Sequence, residues 1–476
     1  MADVGSPEWW LRRLHRRLVD RQPSVEALVD YYEGKHRLAF ESRRFREAFG
    51  GLFHAFADNW CGVVVDSVEE RLNPQGLRIA DEPSSDADAW RIWQENDLDA
   101  GSQLVHSDAL VGGESYARVW LSDDPLTPEI TPLNACEAVV EFDPKHPRVR
   151  RAGLRVWRDD WGHDHAELFL PDRYFLWVTA KPRQDGMTDA ENLLWEPDTA
   201  SAAGGLDADG GVVNPLGDVP IVPFCNRPRT RSRRGIVVQS EISDIIPLQD
   251  AVNKLVADML VASEKAAMPA RWATGLEVPV DPETNQPIKP KVDTAELLIN
   301  TDAGGSFGVF QAADLRNFVQ AVELVIQHIA SISKTPPHYL NASADRLSGE
   351  SIKAAETGLV SKVRRRQTYF GNSWETVMRL AGNLAELDRL ASAKQSEILW
   401  ADPESRTEAE HTDAVLKLQA LGLPNELLWE KVGLSPQEIA RAKAMKAEQD
   451  LFGSVFDDSP DPAQDVPSEP APMTGG

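Results

Sequence analysis

The feature that most constrains this chain lies between residues 236 and 390, where long helical stripes bracket a block that cannot be helical. Over Ile236 to Lys265, the residues Ile242, Ile245, Ile246, Leu248, Val252, Leu255, Met259 and Leu260 fall on one broad face at helical spacing. Residues 313 to 334 repeat the pattern with Leu315, Phe318, Val319, Val322, Val325, Ile326 and Ile329. Between them, Pro269, Pro279, Pro282, Pro287 and Pro290 exclude a continuous helix. Each proline lacks an amide hydrogen, and its ring clashes with the preceding turn. A first helix of ~30 residues would be ~45 Å long at about 1.5 Å per residue. Pro247 either kinks it or marks its true start. Short strands are expected around Ala273-Thr274-Gly275 and Glu296 to Ile299, with a turn at Asp302 to Gly305. Pro336-Pro337 ends the second helix, and a polar loop runs from Asn341 to Gly349. A third long helix then extends from Glu350 to about Leu390, carrying Ile352, Leu359, Val363, Phe370, Trp374, Val377 and Leu380.

The rest of the chain reads as α+β. Trp9, Trp10, Leu11, Leu14 and Leu18 mark one amphipathic helix. A second begins at Pro23-Ser24, with Ser24 as N-cap, and stops at Gly34. A third covers Trp60 to Arg71, and short helices follow at 90–98 and 100–111. Alternation then predicts strands at 115–121, 138–142, 152–157, 166–170 and 173–178, with Asp159-Asp160-Trp161-Gly162 as a hairpin turn. Residues 199–214 read as a loop. Beyond Arg406, short helices are broken at Gly422-Leu423-Pro424 and Gly433-Leu434-Ser435-Pro436, with Ser435 a capping residue and Pro436 at N1. Residues 453–476, rich in Asp, Pro, Ser and Gly, are expected to be disordered.

At 476 residues the chain has room for two to four domains. Its three cysteines, Cys61, Cys136 and Cys225, form no CxxC pair and read as small core residues. No secretory leader and no membrane-spanning run is visible, so a cytosolic site of synthesis is expected. The net charge of −25 bears on nucleic acid. A protein that grips duplex DNA neutralises phosphates with Lys and Arg. This chain either ignores DNA or handles it without holding it.

Motifs that carry chemistry are absent from the sequence. There is no phosphate-binding loop, no dinucleotide fingerprint, no HExxH and no GxSxG. The best metal candidate is Asp160, His163, Asp164 and His165, although such residues in a hairpin are more often a solvated turn. No cofactor, no metal and no enzymatic activity are expected. Two basic runs stand out. Arg229, Arg231, Arg233 and Arg234 precede the first long helix, as a solvated loop, a phosphate contact or a seam between subunits. Lys362, Arg364, Arg365 and Arg366 lie inside the third, as an exposed face or as pairing with Glu350 or Glu356 of an adjacent copy.

Several strings resemble one family, the SPP1-type siphophage portal proteins. They are Asp30 to His36 (DYYEGKH), Asn59 to Asp66 (NWCGVVVD), Ile245 to Lys254 (IIPLQDAVNK), Pro269 to Gly275 (PARWATG) and Ser348 to Glu356 (SGESIKAAE). The resemblance covers about residues 25–450. It implies a homo-oligomeric ring, usually of twelve subunits, at one capsid vertex, through which double-stranded DNA is packaged and ejected. The implied portal fold has an α/β wing (1–235), two stem helices (236–265 and 312–335) and a small α/β clip (266–311). A tunnel loop (336–349), a long wing helix (350–400) and a helical crown (401–452) complete it. The implied partners are the terminase large subunit, a head-completion or adaptor protein, and the major capsid and scaffold proteins, with no membrane. On that reading Asn341, Ser343, Asp345 and Arg346 approach DNA from the tunnel loop. Glu241, Asp244, Asp250 and Asp258 are candidates to face the channel. Lys362, Arg364, Arg365 and Arg366 are candidates for contacts between subunits. An acidic wall would repel phosphate and let DNA slide, softened within a Debye length of ~8 Å. The rival readings are a capsid-associated minor head protein and a metal-dependent nuclease using the His/Asp cluster.

Overall fold

In the computed structural model, residues 3–456 are described apart from 41–42, 44–46, 48–56, 81, 83–84, 183–192, 199–209, 232–234, 268–270, 275–303, 310–313, 341–348, 405–416 and 421. The chain opens with α1 (Pro7–Tyr32), where Ser6 Oγ accepts from the Trp9 amide at 3.3 Å and Pro7 sits in the first turn. This is one helix, not the two expected from Pro23. A proline inside a helix costs about 3 kcal/mol. Burial of Trp10, Leu11, Leu14 and Leu18, each worth roughly 1.5–3 kcal/mol, offsets that cost.

Next come α2 (Trp60–Glu69), β1 (Pro74–Ile79), α3 (Ala87–Glu95) and α4 (Leu98–Gly112). The strand-rich stretch holds β2 (Glu114–Trp120), β3 (Glu129–Leu133), β4 (Ala138–Phe142), β5 (Arg150–Arg158), β6 (Asp164–Phe169) and β7 (Arg173–Thr179). Short strands β8 (Trp195–Pro197), β9 (Val212–Val213), β10 (Ile221–Cys225), β11 (Arg229–Arg231) and β12 (Gly235–Val237) follow. The helical part contains α5 (Ile246–Ala267), β13 (Arg271–Thr274), β14 (Ser306–Val309), α6 (Arg316–Ser333), α7 (Pro337–Leu340) and α8 (Gly349–Leu384). The chain continues through α9 (Asp388–Ala391), β15 (Ser396–Trp400), α10 (Asn425–Val432) and α11 (Pro436–Phe456).

Two sheets build the N-terminal half. One is an antiparallel run β4-β5-β6-β7-β8, with β9 beside β7. Its β5–β6 hairpin turns at Asp159 to Gly162, as the sequence predicts. Asp159 Oδ1 accepts from the Trp161 and His163 amides at 3.0 and 2.8 Å, and Gly162 takes a φ of 88° that a side chain would strain. The other is β10-β2-β3. Helix α1 lies across the first sheet, sharing a core with Val139, Leu154, Leu168 and Phe175. Tyr116, Leu133, Val140, Phe169 and Ile221 fill the space between the sheets.

The largest core surrounds α8. Leu359, Val363, Phe370, Trp374 and Val377 bury their side chains against α2, α4 and β10. At its centre His106 is fully buried. It stacks on Phe370 at 5.2 Å between ring centres, and its Nε2 accepts from Trp374 Nε1 at 2.9 Å. Strand β15 returns to pair antiparallel with β1, so that Leu77 meets Ile398.

Candidate functional site

The candidate site is the segment that leaves this body as α5 and returns as α6. The first helix starts at Ile246, not at 236, which places Pro247 in the first turn, where the missing amide hydrogen breaks no helical bond. The preceding residues form the β11–β12 pair and a tight turn that buries Ile242 and Ile245 completely. Helices α5 and α6 pack against each other, and β13 pairs antiparallel with β14 beyond them. Trp272 faces Gly308 in that register, and a Cβ on Gly308 would meet the indole at 2.3 Å. The strand expected at Ala273 to Gly275 is thus found at Arg271–Thr274, whereas Glu296–Ile299 lies outside the described residues.

The root of α5 is pinned on one face by amides. Gln249 and Asn253, an i, i+4 pair, are both fully buried. Gln249 Oε1 accepts from the Trp60 amide at 2.9 Å, and its Nε2 donates to Asn253 Oδ1 at 3.1 Å and to the Asp58 carbonyl. Asn253 Oδ1 also accepts from the Asp58 amide at 2.8 Å, and its Nδ2 meets His36 Nε2 at 2.8 Å. His36 in turn stacks on Tyr31, 4.1 Å between ring centres. Tyr31 donates its hydroxyl to Asp250 Oδ1 at 2.9 Å. Burial raises the Asp250 carboxyl, with Tyr31 and His36 opposing.

On the other face stands a buried charge cluster. Glu241, 5% exposed, receives Lys362 Nζ at 3.0 Å on Oε1 and Arg366 Nη2 at 2.7 Å on Oε2. Asn226 Nδ2 adds a third donor at 3.3 Å. Burial alone would raise this carboxyl, but the two cations outweigh it and hold it at about 2. Lys362 Nζ also donates to the Ser333 carbonyl at 2.8 Å, so one ammonium holds both the start of α5 and the end of α6.

These contacts correct two expectations. Glu241 precedes the helix and is sealed inside the chain, so it leaves the channel-facing set. Lys362 and Arg366 are spent on Glu241 of their own chain and are not free for a neighbour. At 100° per residue they share one face of α8, which turns Arg364 and Arg365 outward. Arg364 lies 3.7 Å from both Asp402 and Glu404. Glu356, named as a possible partner from an adjacent copy, lies 3.5 Å from Arg71 and 3.6 Å from His338 of its own chain.

Asp244 remains exposed and pairs with Arg227 at 2.7 Å. Asp250 is turned toward α1 by Tyr31, and Asp258 pairs with Lys254 one turn away. Asn341, Ser343, Asp345 and Arg346 lie outside the described residues, as do Arg233 and Arg234 and the 457–476 part of the tail; helix α11 reaches Phe456. The His/Asp group is scattered by strand alternation. His163 Nδ1 meets the Thr179 carbonyl at 2.8 Å, Asp164 pairs with Arg158, and His165 meets Asp159 at 3.1 Å. No group of three metal-capable side chains occurs among the described residues. Cys61 is fully buried and Cys136 and Cys225 half-buried; burial pushes the Cys61 and Cys225 thiols up to about 12. Among the described residues no helix is long and apolar enough to cross a membrane.

Sequence reasoning missed Gln249, Asn253 and Glu241 as anchors. The available signal was polar residues interrupting an apolar stripe at i, i+4 spacing.

Comparison with known proteins places this arrangement. The family model described as "Phage portal protein, SPP1 Gp6-like" matches residues 14–450. The portal protein of Mycobacterium phage D29 is 32% identical over 433 residues, covering 86% of this chain and 83% of that protein. The portal protein of Mycobacterium phage L5 is 31% identical over the same coverage. Among solved structures, a chain of the virion of a native gene transfer agent particle aligns with a TM-score of 0.44 at 14% identity, covering 87% of this chain and 99% of that one. With the family model spanning the body, the paired helices and the C-terminal helices, this chain belongs to the SPP1 Gp6-like phage portal proteins, structural components of the capsid vertex of tailed phages.

Proposed function

We propose that copies of this chain close into a ring, about twelve in number, that lines the passage for double-stranded DNA during packaging and ejection. The observation that carries this reading is the family match across residues 14–450, taken with a helix pair that leaves the body and returns to it around a β pair. In this reading residues 1–235 are the wing, α5 and α6 the stem, and 266–311 the clip that meets the terminase large subunit and later the head-completion or adaptor protein. Residues 336–349 are the tunnel loop, with Asn341, Ser343, Asp345 and Arg346 nearest DNA. Helix α8 returns to the wing, 401–452 form the crown, and the wing meets major capsid and scaffold proteins. Assembly takes place in the host cytoplasm and the ring is carried into the virion.

The charge supports a conduit rather than a grip. Each copy adds −25, and exposed Asp244 and half-exposed Asp258 on or beside α5 are the remaining candidates for the lumen. Such a wall holds no phosphate and reads no base, so passage is independent of sequence. Negative-stain electron microscopy of the purified chain tests the reading. Rings with a central hole wide enough for duplex DNA are expected; closed dimers or tetramers without a channel would sink it.

A further inference from the structure

A cleft of about 300 Å³ opens at the root of the helix pair. It lies between the β10–β11 turn, the end of α6 and the stretch of α8 from Ser361 to Tyr369. Six cations line it, Arg227, Arg229, Lys334, Lys362, Arg365 and Arg366, against two carboxylates, Glu241 and Asp244. Glu241 is shared by Lys362 and Arg366, and Asp244 is taken by Arg227. That leaves three unanswered cations, Arg229, Lys334 and Arg365, in one concave surface of a chain whose total is −25. Arg229, Lys334 and Arg365 are exposed and have no ion pair among the described residues. Lys334 is also held at a φ of 58° as the residue that closes α6, so its backbone is fixed at the rim. The Ser361 and Tyr369 side chains add polar atoms to the wall.

From this we infer that the cleft is a docking site for carboxylates of a second copy of the chain, and so a charged seam between neighbours. The inference rests on the ring reading above and deepens it. Identical chains at −25 repel one another, and association needs places where opposite charges meet. A concave cationic site on one side of a protomer, answered by acidic side chains on the other, is a head-to-tail contact, the kind that closes rings. The chain holds 75 acidic residues against 50 Lys and Arg, so a cationic cleft on one copy meets an excess of carboxylates on the next. Complementary interface charges act on association rate and register, and exposed ones are screened by salt.

The test is charge reversal at the exposed rim, Arg365→Glu together with Arg229→Glu, in the full chain. Mass photometry over a dilution series and over 50 to ~500 mM NaCl, a range spanning Debye lengths on either side of ~8 Å, reads association. Circular dichroism melting checks that both proteins are folded. Wild type should form rings that weaken as salt rises. The double variant should melt like wild type yet associate at least ~10-fold more weakly, a difference of about 1.4 kcal/mol, with little salt dependence left. Arg365→Lys should keep most of the association. A folded double variant that forms rings at wild-type concentration and wild-type salt dependence overturns the inference while leaving the ring intact. Unchanged rings with weaker binding to a fluorescent DNA duplex also overturn it, assigning the cleft to phosphate. Wild type that never associates removes the ring reading itself, and the seam with it.

Discussion

Replacing Glu241 by glutamine should destabilise the whole junction, and the size of the effect can be worked from the structure. The carboxylate is 4% exposed at the side chain and carries two direct cationic contacts, at 3.0 and 2.7 Å. Its pKa falls from 4.5 to about 2 on folding. At about 1.4 kcal/mol per unit this is a few kcal/mol at neutral pH, partly offset by Lys362, whose burial lowers its own ammonium pKa despite Glu241. Removing one partner of a buried ion cluster costs roughly 3–5 kcal/mol, because the cations left behind stay desolvated and unpaired. The two routes agree, so Glu241→Gln should lower stability by about 3–4 kcal/mol. Because the folded pKa lies below the unfolded one, the contribution is complete above about pH 4.5 and disappears as pH falls toward 2. Urea denaturation followed by tryptophan fluorescence at pH 7 and again near pH 3 is the assay. The gap between wild type and variant should be large at pH 7 and much smaller at pH 3. A variant within ~0.5 kcal/mol of wild type at pH 7, the range of an ordinary surface change, refutes the reasoning. A triple replacement by apolar residues of similar volume, Glu241→Leu, Lys362→Met and Arg366→Met, should recover most of the loss, since no charge then remains unpaired.

Further outcomes follow from other contacts. Burial drives the His106 imidazole down to about 3, against the Leu72 backbone, so it is neutral in the folded protein. Its contribution is present above about pH 6.5 and lost as pH falls toward 3, and His106→Gln should flatten the stability profile between pH 6.5 and 4 measured by denaturant midpoints. Arg21 joins Glu114, the Tyr116 hydroxyl at 3.0 Å and the Ala135 and Ala138 carbonyls, tying α1 to both sheets. Arg21→Met should cost about 3–5 kcal/mol in the same assay, and Arg21→Lys should recover only part, lacking the planar fork. Gly308→Ala should remove amide-exchange protection from Arg271–Thr274 without moving the global midpoint, because the nearest atoms the added Cβ meets all belong to the Trp272 indole of this β pair. Ser435 and Glu438 cap α11 reciprocally, with the Glu438 amide 3.3 Å from Ser435 Oγ and the Ser435 amide 2.8 Å from Glu438 Oε2; Ser435→Ala should cost about 1 kcal/mol.

What could be read beforehand was what local periodicity dictates. The stripes of α5, α6 and α8, the Asp159 turn and the Ser435 cap are written in neighbouring residues, although α5 begins ten residues later than expected, at Ile246, with Ile242 and Ile245 buried in the turn before it. The pairing of β1 with β15 is not local, for it joins residues on opposite sides of the helical part, and neither strand alternates strongly enough to announce itself. Strand β10 carries Pro223 in its middle, which argues against a strand unless the neighbours supply the context. Pro23 misled in the same way, since the buried face of α1 overrode it. The charge cluster went unread because a run such as Lys362 to Arg366 looks uniformly solvated until the helical step separates two inward members from two outward ones.

The clasp formed by Lys362 has a consequence for how such a protein can change. Its ammonium grips Glu241 before α5 and the Ser333 carbonyl at the end of α6, so the chain departs and comes home at a single address. Everything between those points is a cassette. Turns added to both helices in equal number would lengthen the cassette without shifting the departure and return points. Relatives could therefore exchange cassettes of different reach while their bodies, and the neighbours those bodies touch, stay the same.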